Sequence, residues 1–247
     1  MEILGIDIGG TGIKGAPVNV RTGELLGDRV RIETPNPSTP KKIAGVINEI
    51  RQQFRWQGRI GVGFPGVVKN GKILTAVNLD KSWVGVDLEN LLDQKTSGKA
   101  KVINDADAAG LAEMRFGAGK NRRGKVIVLT FGTGIGSALF VDGKLFANTE
   151  LGHLELHGQD AERRAAERVR IEKNLTWGKW GKRVAEYLEM LERLFSPDLI
   201  LIGGGASKNY DKFRKSFGHL ATEILPAQMG NLAGIVGAAL AAGDEKM

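Results

Sequence analysis

Residues 129–139 read LTFGTGIGSAL: an apolar run, then three glycines separated by single residues, then apolar residues again. Glycine permits positive φ and lets a ligand approach the main chain closely. Successive N–H groups in such a turn form a concavity that attracts anions. We therefore interpret residues 132–136, the second glycine loop, as a phosphate site, although one such loop alone also fits an ordinary tight hairpin. Its predicted phosphate contacts are Gly132, Thr133, Gly134 and Gly136.

A similar stretch occurs near the start of the chain, where residues 7–15 read DIGGTGIKG after an apolar run. Both stretches contain Gly-Thr-Gly-Ile, which suggests a duplicated fold that holds a phosphate ligand between two halves. The spacing also fits the dinucleotide fingerprint, but that motif must open a helix, whereas Pro17 and the alternation after it indicate a second strand. No Walker P-loop pattern is present. The predicted phosphate contacts in and beside this first glycine loop (residues 9–12) are Asp7, Gly9, Gly10, Thr11, Gly12 and Lys14.

The composition is typical of a soluble globular protein, with 247 residues, 42% hydrophobic and 26% charged. The chain has no cysteine, which excludes disulfides and thiolate metal sites and suits a reducing cytoplasm. It begins directly with a strand, without a charged leader, and no apolar run approaches the roughly 18 residues of a membrane span. We therefore expect a cytoplasmic protein that makes no membrane contact.

The net charge of +7 fits either a solvated surface or a polyanionic ligand, such as nucleic acid or a long phosphate chain. Nucleic acid is disfavoured, because no nucleic-acid motif is visible and aromatic residues make up only 6% of the chain. The densest basic run, residues 120–125, immediately precedes the strand that leads to the second glycine loop. A solvated turn is the competing interpretation. The residues predicted to track a long phosphate chain are Lys120, Arg122, Arg123 and Lys125.

A carboxylate lies where a short strand (residues 101–103) meets a predicted helix (residues 106–114). Asp105 at this junction is suitably placed to act as a general base. The competing interpretation is a helix N-cap, and Asp107 is an equally good cap by sequence alone. Hydrophobic periodicity also predicts strands within residues 1–33 and at 60–64 and 199–202. It predicts helices ending near residue 55, over residues 177–195 and over residues 233–242.

Together, the two glycine loops and Asn104-Asp105 resemble the ROK family of sugar kinases in the actin/hexokinase superfamily, over nearly the whole chain. The resemblance implies an α/β, two-domain actin-like ATPase (ribonuclease H-like) fold with a cleft between the domains. We expect one domain of residues 1–119 plus 233–247 and another of residues 120–232. The last third is similar to the polyphosphate glucokinases of that family. The residues that carry this likeness are Leu175, Thr176, Trp177, Trp180, Tyr187, Leu191, residues 196–199 and residues 203–205.

The resemblance implies a homodimeric glucokinase that transfers a phosphoryl group from polyphosphate, with ATP as a further donor, to the 6-hydroxyl of glucose. Asp105 occupies the family's catalytic aspartate position. Mg²⁺ is the implied metal, contacted by Asp7 directly or through water. Residues 203–205 resemble the adenosine-side loop, formed by Gly203, Gly204 and Gly205, although its presence does not establish ATP use.

Residues 150–153 read ELGH and match the E-x-G-H segment, whose acid and imidazole bind sugar hydroxyls in the family. The family commonly continues with a cysteine cluster that holds zinc. Because this chain has no cysteine, we expect no zinc site, and the charged residues 159–173 occupy that region. Glu155 and Glu162 remain alternatives for a second sugar carboxylate. The implied sugar contacts are Gly66, Asn78, Asn104, Asp105, Glu150, His153 and Glu162.

Three other functions fit the same pattern in part. An ATP-dependent sugar kinase of the same fold, acting on glucose, mannose or another sugar, differs from the first interpretation only in its donor and acceptor. A sugar-binding ROK repressor is disfavoured, because the chain starts at the strand before the first glycine loop and leaves no room for a helix-turn-helix domain. An actin-like filament protein is disfavoured by the E-x-G-H segment.

Overall fold

The computed structural model describes residues 1–77, 79–94 and 99–243. The strands are β1 (Glu2–Ile8), β2 (Ile13–Asn19), β3 (Val30–Ile32), β4 (Ile60–Phe64), β5 (Val68–Lys69), β6 (Lys72–Ile73), β7 (Ala100–Asn104), β8 (Lys125–Phe131), β9 (Ile135–Val141), β10 (Lys144–Phe146), β11 (Glu155–Leu156), β12 (Gln159–Asp160), β13 (Leu199–Gly204) and β14 (Glu223–Pro226). The helices are α1 (Pro40–Gln53), α2 (Leu88–Asp93), α3 (Asp105–Phe116), α4 (Glu162–Ala165), α5 (Glu167–Glu172), α6 (Trp177–Phe195) and α7 (Ala233–Gly243). Short 3₁₀ turns occur at Lys81–Trp83, Leu151–His153, Gly205–Lys212, Arg214–Phe217 and Gly230–Leu232.

The chain forms two compact units. The N-terminal unit contains Met1–Ala112 and the chain from Leu232 onward, and the C-terminal unit is Glu113–Asn231. The division therefore falls within α3, a few residues before the Gly-Ala-Gly sequence at residues 117–119. No helix within the described ranges is long and apolar enough to cross a membrane.

The N-terminal unit is built on a five-stranded sheet in the order β3-β2-β1-β4-β7. Strand β1 pairs antiparallel with β2 and parallel with β4, which in turn pairs parallel with β7. The predicted three strands of residues 1–33 are confirmed as β1, β2 and β3. Because β1, β4 and β7 are parallel, their carboxyl ends meet at one edge of the sheet.

Helix α7 packs against this sheet at unusually short range. A Cβ added at Gly5 or Gly61 would overlap backbone atoms of α7, and one added at Gly237 would overlap the backbone of Ala108 in α3. The small side chains of α7 therefore permit a contact that larger residues would block. This explains the small-residue composition of residues 233–242, which also form a helix as predicted.

The C-terminal unit repeats the architecture with a five-stranded sheet in the order β10-β9-β8-β13-β14. Helix α6 covers it, as predicted, and buries Trp180 and Tyr187 against Phe131 of β8 in edge-to-face ring contacts. The Thr176 hydroxyl caps α6 by accepting a hydrogen bond from the Lys179 amide. The helix ends at Ser196 in the left-handed conformation, immediately before Pro197.

Candidate functional site

The carboxyl edge of the N-terminal sheet gathers the residues that the sequence singled out. In register, Asp7 of β1 lies beside Gly63 of β4, and Gly63 lies beside Ile103 of β7. Neighbouring strands are about 4.8 Å apart, and β4 lies between β1 and β7, so the ends of β1 and β7 are about 10 Å apart across the sheet. The first glycine loop, the turn at Gly66 and Asp105 therefore emerge from the same edge.

The first glycine loop is the turn of the β1–β2 hairpin, and two side chains hold it from outside. The Gly9 amide donates to the Gly12 carbonyl at 3.1 Å, which closes the turn. The Arg31 guanidinium donates to the Thr11 carbonyl at 2.9 Å, and the Thr34 hydroxyl donates to the Gly9 carbonyl at 2.5 Å. A Cβ at Gly12 would lie 2.7 Å from Arg31 Nε, so a side chain there would force the Arg31 guanidinium to move.

Arg31 was missed by sequence reasoning, although the three-strand prediction contained the signal for it. Cross-strand register places Lys14 beside Asp7 and Arg31 beside Lys14. Side chains directly opposite one another across a sheet lie on the same face. A cation in β3 therefore belongs to the phosphate-loop end of the sheet.

Asp7 lies between a cation and the start of the last helix. Lys14 Nζ is 3.3 Å from Asp7 Oδ2. A Cβ added to Gly234, the second residue of α7, would lie 2.8 Å from the Asp7 carboxylate carbon. A carboxylate is favoured near a helix N-terminus by the helix dipole. The absence of a side chain at Gly234 thus lets Asp7 approach α7, and sequence reasoning did not identify this contact.

Asn104, rather than Asp105 or Asp107, supplies the cap of α3. Its Oδ1 accepts from the amides of Ala106 at 2.8 Å and Asp107 at 2.9 Å. Its Nδ2 donates to the Gly66 carbonyl at 3.1 Å, which ties the turn after β4 to the start of α3. Asn104 is buried and its side chain makes these internal bonds, so it positions the start of α3; its predicted sugar contact stays a prediction.

Asp105 is the first residue of α3 and is partly exposed. Its Oδ1 accepts from the Ala106 amide at 2.8 Å. The same amide also donates to Asn104 Oδ1, so Asp105 shares one capping contact while Asn104 additionally binds the Asp107 amide. The predicted sugar contact Asn78 lies outside the described residues.

The second glycine loop is the turn of the β8–β9 hairpin, so the hairpin and the phosphate-loop interpretations describe the same structure. The Gly132 amide donates to the Gly134 carbonyl at 3.0 Å. Gly136 lies within β9 and pairs with Thr130, so it belongs to the strand rather than to the turn. The Gly132 carbonyl accepts from the Arg168 amide at 3.0 Å, which fixes the start of α5 beside the loop.

The E-x-G-H segment is held against β9 by hydroxyl contacts. Ser137 Oγ donates to the Thr149 carbonyl at 2.6 Å and accepts from the Leu151 amide at 3.0 Å. A Cβ at Gly152 would overlap the Ile135 carbonyl, so the segment requires glycine there. These contacts bring Glu150 and the following 3₁₀ turn next to the second glycine loop.

Three predicted sugar contacts come together in the C-terminal unit. Burial raises the pKa of Glu150, the charge of His153 opposes that shift, and the negative charge of Glu162 adds to it. Glu162, at the start of α4, accepts from the Ile135 amide at 3.2 Å. Of the two alternatives for a second sugar carboxylate, Glu162 is the one whose charge acts on Glu150. By contrast, Glu155 lies in a groove lined also by His157 and Glu186.

His153 has a partner that sequence reasoning missed. Its Nδ1 lies 3.1 Å from Asp160 Oδ2 in β12. Ligand-capable atoms of His153, Asp160 and Glu162 all lie within 4.8 Å of one another, so these three residues could hold a metal ion. The expectation of no zinc site rests on the absence of cysteine, whereas these three residues form a set of nitrogen and oxygen ligands.

Gly203, Gly204 and Gly205 lie at the same edge of the C-terminal sheet as the second glycine loop, since Gly204 pairs with Phe131. Gly204 has φ +73°, and a Cβ there would overlap the Phe131 backbone. A Cβ at Gly205 would lie 2.6 Å from Glu167 of α5. Helix α5 therefore packs between the second glycine loop and residues 203–205.

The basic run at residues 120–125 lies at the opposite edge of this sheet. Lys125 begins β8, and six residue steps separate it from Phe131, a span of about 20 Å. Lys125 Nζ donates to the Phe195 carbonyl at 2.6 Å, and Arg122 forms a two-pronged pair with Glu223 at 2.9 Å. The run that contains Lys120, Arg122, Arg123 and Lys125 therefore lies about one strand length from the second glycine loop, and its contact with a phosphate chain stays a prediction.

Known proteins resemble this chain over almost its whole length. The family model described as ROK family matches residues 3–166. A polyphosphate glucokinase of Mycobacterium tuberculosis is 48% identical over 239 residues, covering 96% of this chain and 90% of the relative. The structure of an inorganic polyphosphate/ATP-glucomannokinase from Arthrobacter sp. strain KM is similar at 44% identity, covering 98% of both chains with a TM-score of 0.93.

A ROK family glucokinase from Streptomyces griseus, solved in complex with glucose and AMPPNP, is similar at 25% identity, covering 98% of this chain and 99% of that one with a TM-score of 0.87. These similarities confirm the predicted actin-like ATPase fold. The chain belongs to the ROK family.

Proposed function

We propose that this chain is a glucokinase that transfers the terminal phosphoryl group of polyphosphate to the 6-hydroxyl of glucose, with ATP as a second donor. The observation that carries the proposal is the likeness over 98% of both chains to an enzyme named polyphosphate/ATP-glucomannokinase. The relative from Mycobacterium tuberculosis, named polyphosphate glucokinase, supports the same donor and acceptor.

Asp105 is the proposed general base. Its carboxylate takes the proton of the sugar 6-hydroxyl while that oxygen attacks the terminal phosphorus and the shortened chain leaves. A positioned base contributes roughly 10²–10⁴-fold in rate. The Asn104 cap supports the role, because it fixes the start of α3, where Asp105 is the first residue.

Positioning and charge stabilisation supply most of the remaining acceleration in phosphoryl transfer. The two glycine loops offer backbone N–H groups to phosphate oxygens, and Lys14 and Arg31 add positive charge beside the first loop. In this proposal Arg31 and Thr34 stiffen that loop by holding its carbonyl groups away from the phosphate.

Asp7 has the donor chemistry that Mg²⁺ prefers, since this ion binds through one or two carboxylates together with phosphates and water. Lys14 contacts Oδ2, which leaves Oδ1 as the oxygen we assign to the metal or its water. When bound, Mg²⁺ would neutralise charge on the donor phosphates.

Glu150, His153 and Glu162 form the proposed sugar site. Carboxylates accept hydrogen bonds from sugar hydroxyls, and the His153 ring is oriented by Asp160. A site that pairs buried hydroxyls discriminates strongly against an analogue that lacks one. Mannose is a second candidate acceptor, because the Arthrobacter enzyme is named a glucomannokinase.

The test is a coupled assay for glucose 6-phosphate with long-chain polyphosphate, ATP and no donor side by side, repeated with mannose. We expect turnover with polyphosphate. If the enzyme works with ATP but not with polyphosphate, the proposed donor is wrong and the sugar kinase activity stands. Inactivity with every donor would overturn the enzyme assignment.

The proposed setting is a homodimer in the cytoplasm. Light scattering after size-exclusion chromatography tests the dimer, and fractionation of cells that express the native chain tests the location.

A further inference from the structure

The C-terminal unit carries a basic surface that begins beside the second glycine loop. Residues 163–182 and 205–219 together contain eleven Lys and Arg and three Asp and Glu, an excess larger than the +7 of the whole chain. We define the basic face as the five Lys and Arg residues of these two segments that the following paragraphs trace from the second glycine loop outward. They are Arg168, Arg170, Lys208, Lys212 and Lys215.

The path starts at the reacting end of the unit. The Arg168 amide binds the Gly132 carbonyl, so α5 begins against the second glycine loop. The Arg168 side chain is 46% exposed and its paired carboxylate, Glu172, lies 3.7 Å away in a solvent-exposed contact. Such exposed pairs are weak, so Arg168 can exchange this partner for a phosphate.

Trp177 joins α5 to the next basic residues. Arg170 Cζ lies 3.9 Å from the centre of the Trp177 ring, and Lys212 Nζ lies 5.7 Å from the same centre. The two charges are therefore within about 10 Å of one another, which is about one screening length at moderate salt. Stacking of Trp177 on Phe213 fixes the ring that positions both cations.

The far end of the path is exposed. Lys208, Lys212 and Lys215 are all exposed and follow directly after residues 203–205. Arg214 beside them pairs with Asp211 at 2.8 Å and is therefore less available. The basic run at residues 120–125 offers no such path, because its Arg122 and Lys125 are engaged at the other edge of the sheet.

We propose that a long polyphosphate chain leaves the second glycine loop past Arg168 and runs along the basic face to Lys212 and Lys215. The proposal rests on the proposed function, because it requires polyphosphate as a donor. A short donor reaches Arg168 only, whereas a long polymer reaches the lysines as well. Each cation that contacts a polyanion displaces counterions and steepens the dependence of binding on salt.

The experiment compares two variants of the full chain with a short donor, tripolyphosphate, and a long donor, long-chain polyphosphate. Arg168→Gln should raise the KM of both donors about two- to threefold, the weight of one exposed charge contact. Lys212→Gln combined with Lys215→Gln should raise the KM of the long donor about fivefold. The slope of log affinity for long polyphosphate against log salt concentration should become shallower by between one and two. The KM values of tripolyphosphate and of glucose should stay unchanged. The charge-matched control, Lys41→Gln with Lys69→Gln, removes two exposed lysines from the N-terminal unit and should change none of these values.

An unchanged KM for long polyphosphate in the double lysine variant would overturn the path while leaving the enzyme assignment intact. An equal loss for both donor lengths would also overturn it, because a track beyond the loop acts on long chains alone. A wild-type enzyme that ignores polyphosphate would overturn the proposed donor and the path together. Equilibrium binding of long-chain polyphosphate to the same variants gives an independent readout without turnover.

Discussion

Replacing Gly234 by alanine is expected to separate stability from activity. The added Cβ would lie 2.8 Å from the Asp7 carboxylate carbon. Ordinary carbon contacts lie at about 3.5–4.0 Å, so the carboxylate must move by about 0.7 Å. Helix propensity favours alanine over glycine by up to about 1 kcal/mol, so the fold itself should not suffer. Misplacing a reacting group by about 1 Å can cost about 100-fold in rate.

We therefore expect Gly234→Ala to lower kcat by about 10- to 100-fold and to raise the Mg²⁺ concentration needed for half-maximal rate, with an unchanged KM for glucose. Steady-state kinetics with Mg²⁺ titration measures the activity, and thermal unfolding measures the stability. The matched control is Gly45→Ala in α1, where an added Cβ meets nothing within 4 Å; it should leave turnover unchanged. Wild-type kcat in Gly234→Ala would refute the reasoning, because the position of Asp7 would then not matter to the reaction.

Three further predictions concern single side chains. Burial raises the pKa of Glu150, so the folded protein holds this proton more tightly than the unfolded chain does. That contribution to stability is present at low pH and is lost as pH rises through the raised pKa, whereas glucose affinity should fall as pH is lowered through the same pKa and the carboxylate protonates. Calorimetric titration should show this pH dependence in the wild type and not in Glu150→Gln. Glu113 is buried and accepts from the amides of Ala118, Gln228 and Met229. Glu113→Gln places an amide group against these donors and should lower the free energy of unfolding in urea by about 3 kcal/mol. A loss below about 1 kcal/mol would contradict the anchoring role of Glu113. Arg31→Gln frees the Thr11 carbonyl and should raise the donor KM about fivefold with glucose KM unchanged; an equal change in both would point to general misfolding.

Local patterns predicted the parts of the fold that depend on nearby residues. The two glycine hairpins, α6 and the small-residue helix α7 follow from turn glycines and hydrophobic periodicity. Family resemblance selected Asp105 over Asp107 as the general base; in the structure Asp105 is partly exposed, whereas Asp107 is fully buried.

Contacts that depend on register or on distant chain segments were not predictable in this way. Arg31 faces the first glycine loop only because β3 pairs with β2 in one register. Gly234 meets Asp7 because the chain returns more than two hundred residues later to the first sheet. Asp160 reaches His153 through the short β11–β12 hairpin, which carries little periodic signal.

The basic run at residues 120–125 shows that proximity in sequence is not proximity in space. Residues 120–125 are adjacent in sequence to the strand of the second glycine loop, yet the extended backbone of β8 carries the loop about 20 Å away. Arg168 is more than thirty residues from Gly132 in sequence and contacts it directly.

The most direct test of the central claim is ³¹P NMR of glucose incubated with polyphosphate and Mg²⁺ in the absence of nucleotide. We expect one internal phosphate signal to be lost for each glucose 6-phosphate formed, while the end-group signal stays constant. Asp105→Asn should bind glucose and slow this transfer by roughly 10²–10⁴-fold. Release of orthophosphate without sugar phosphate, or wild-type transfer by Asp105→Asn, would contradict the account.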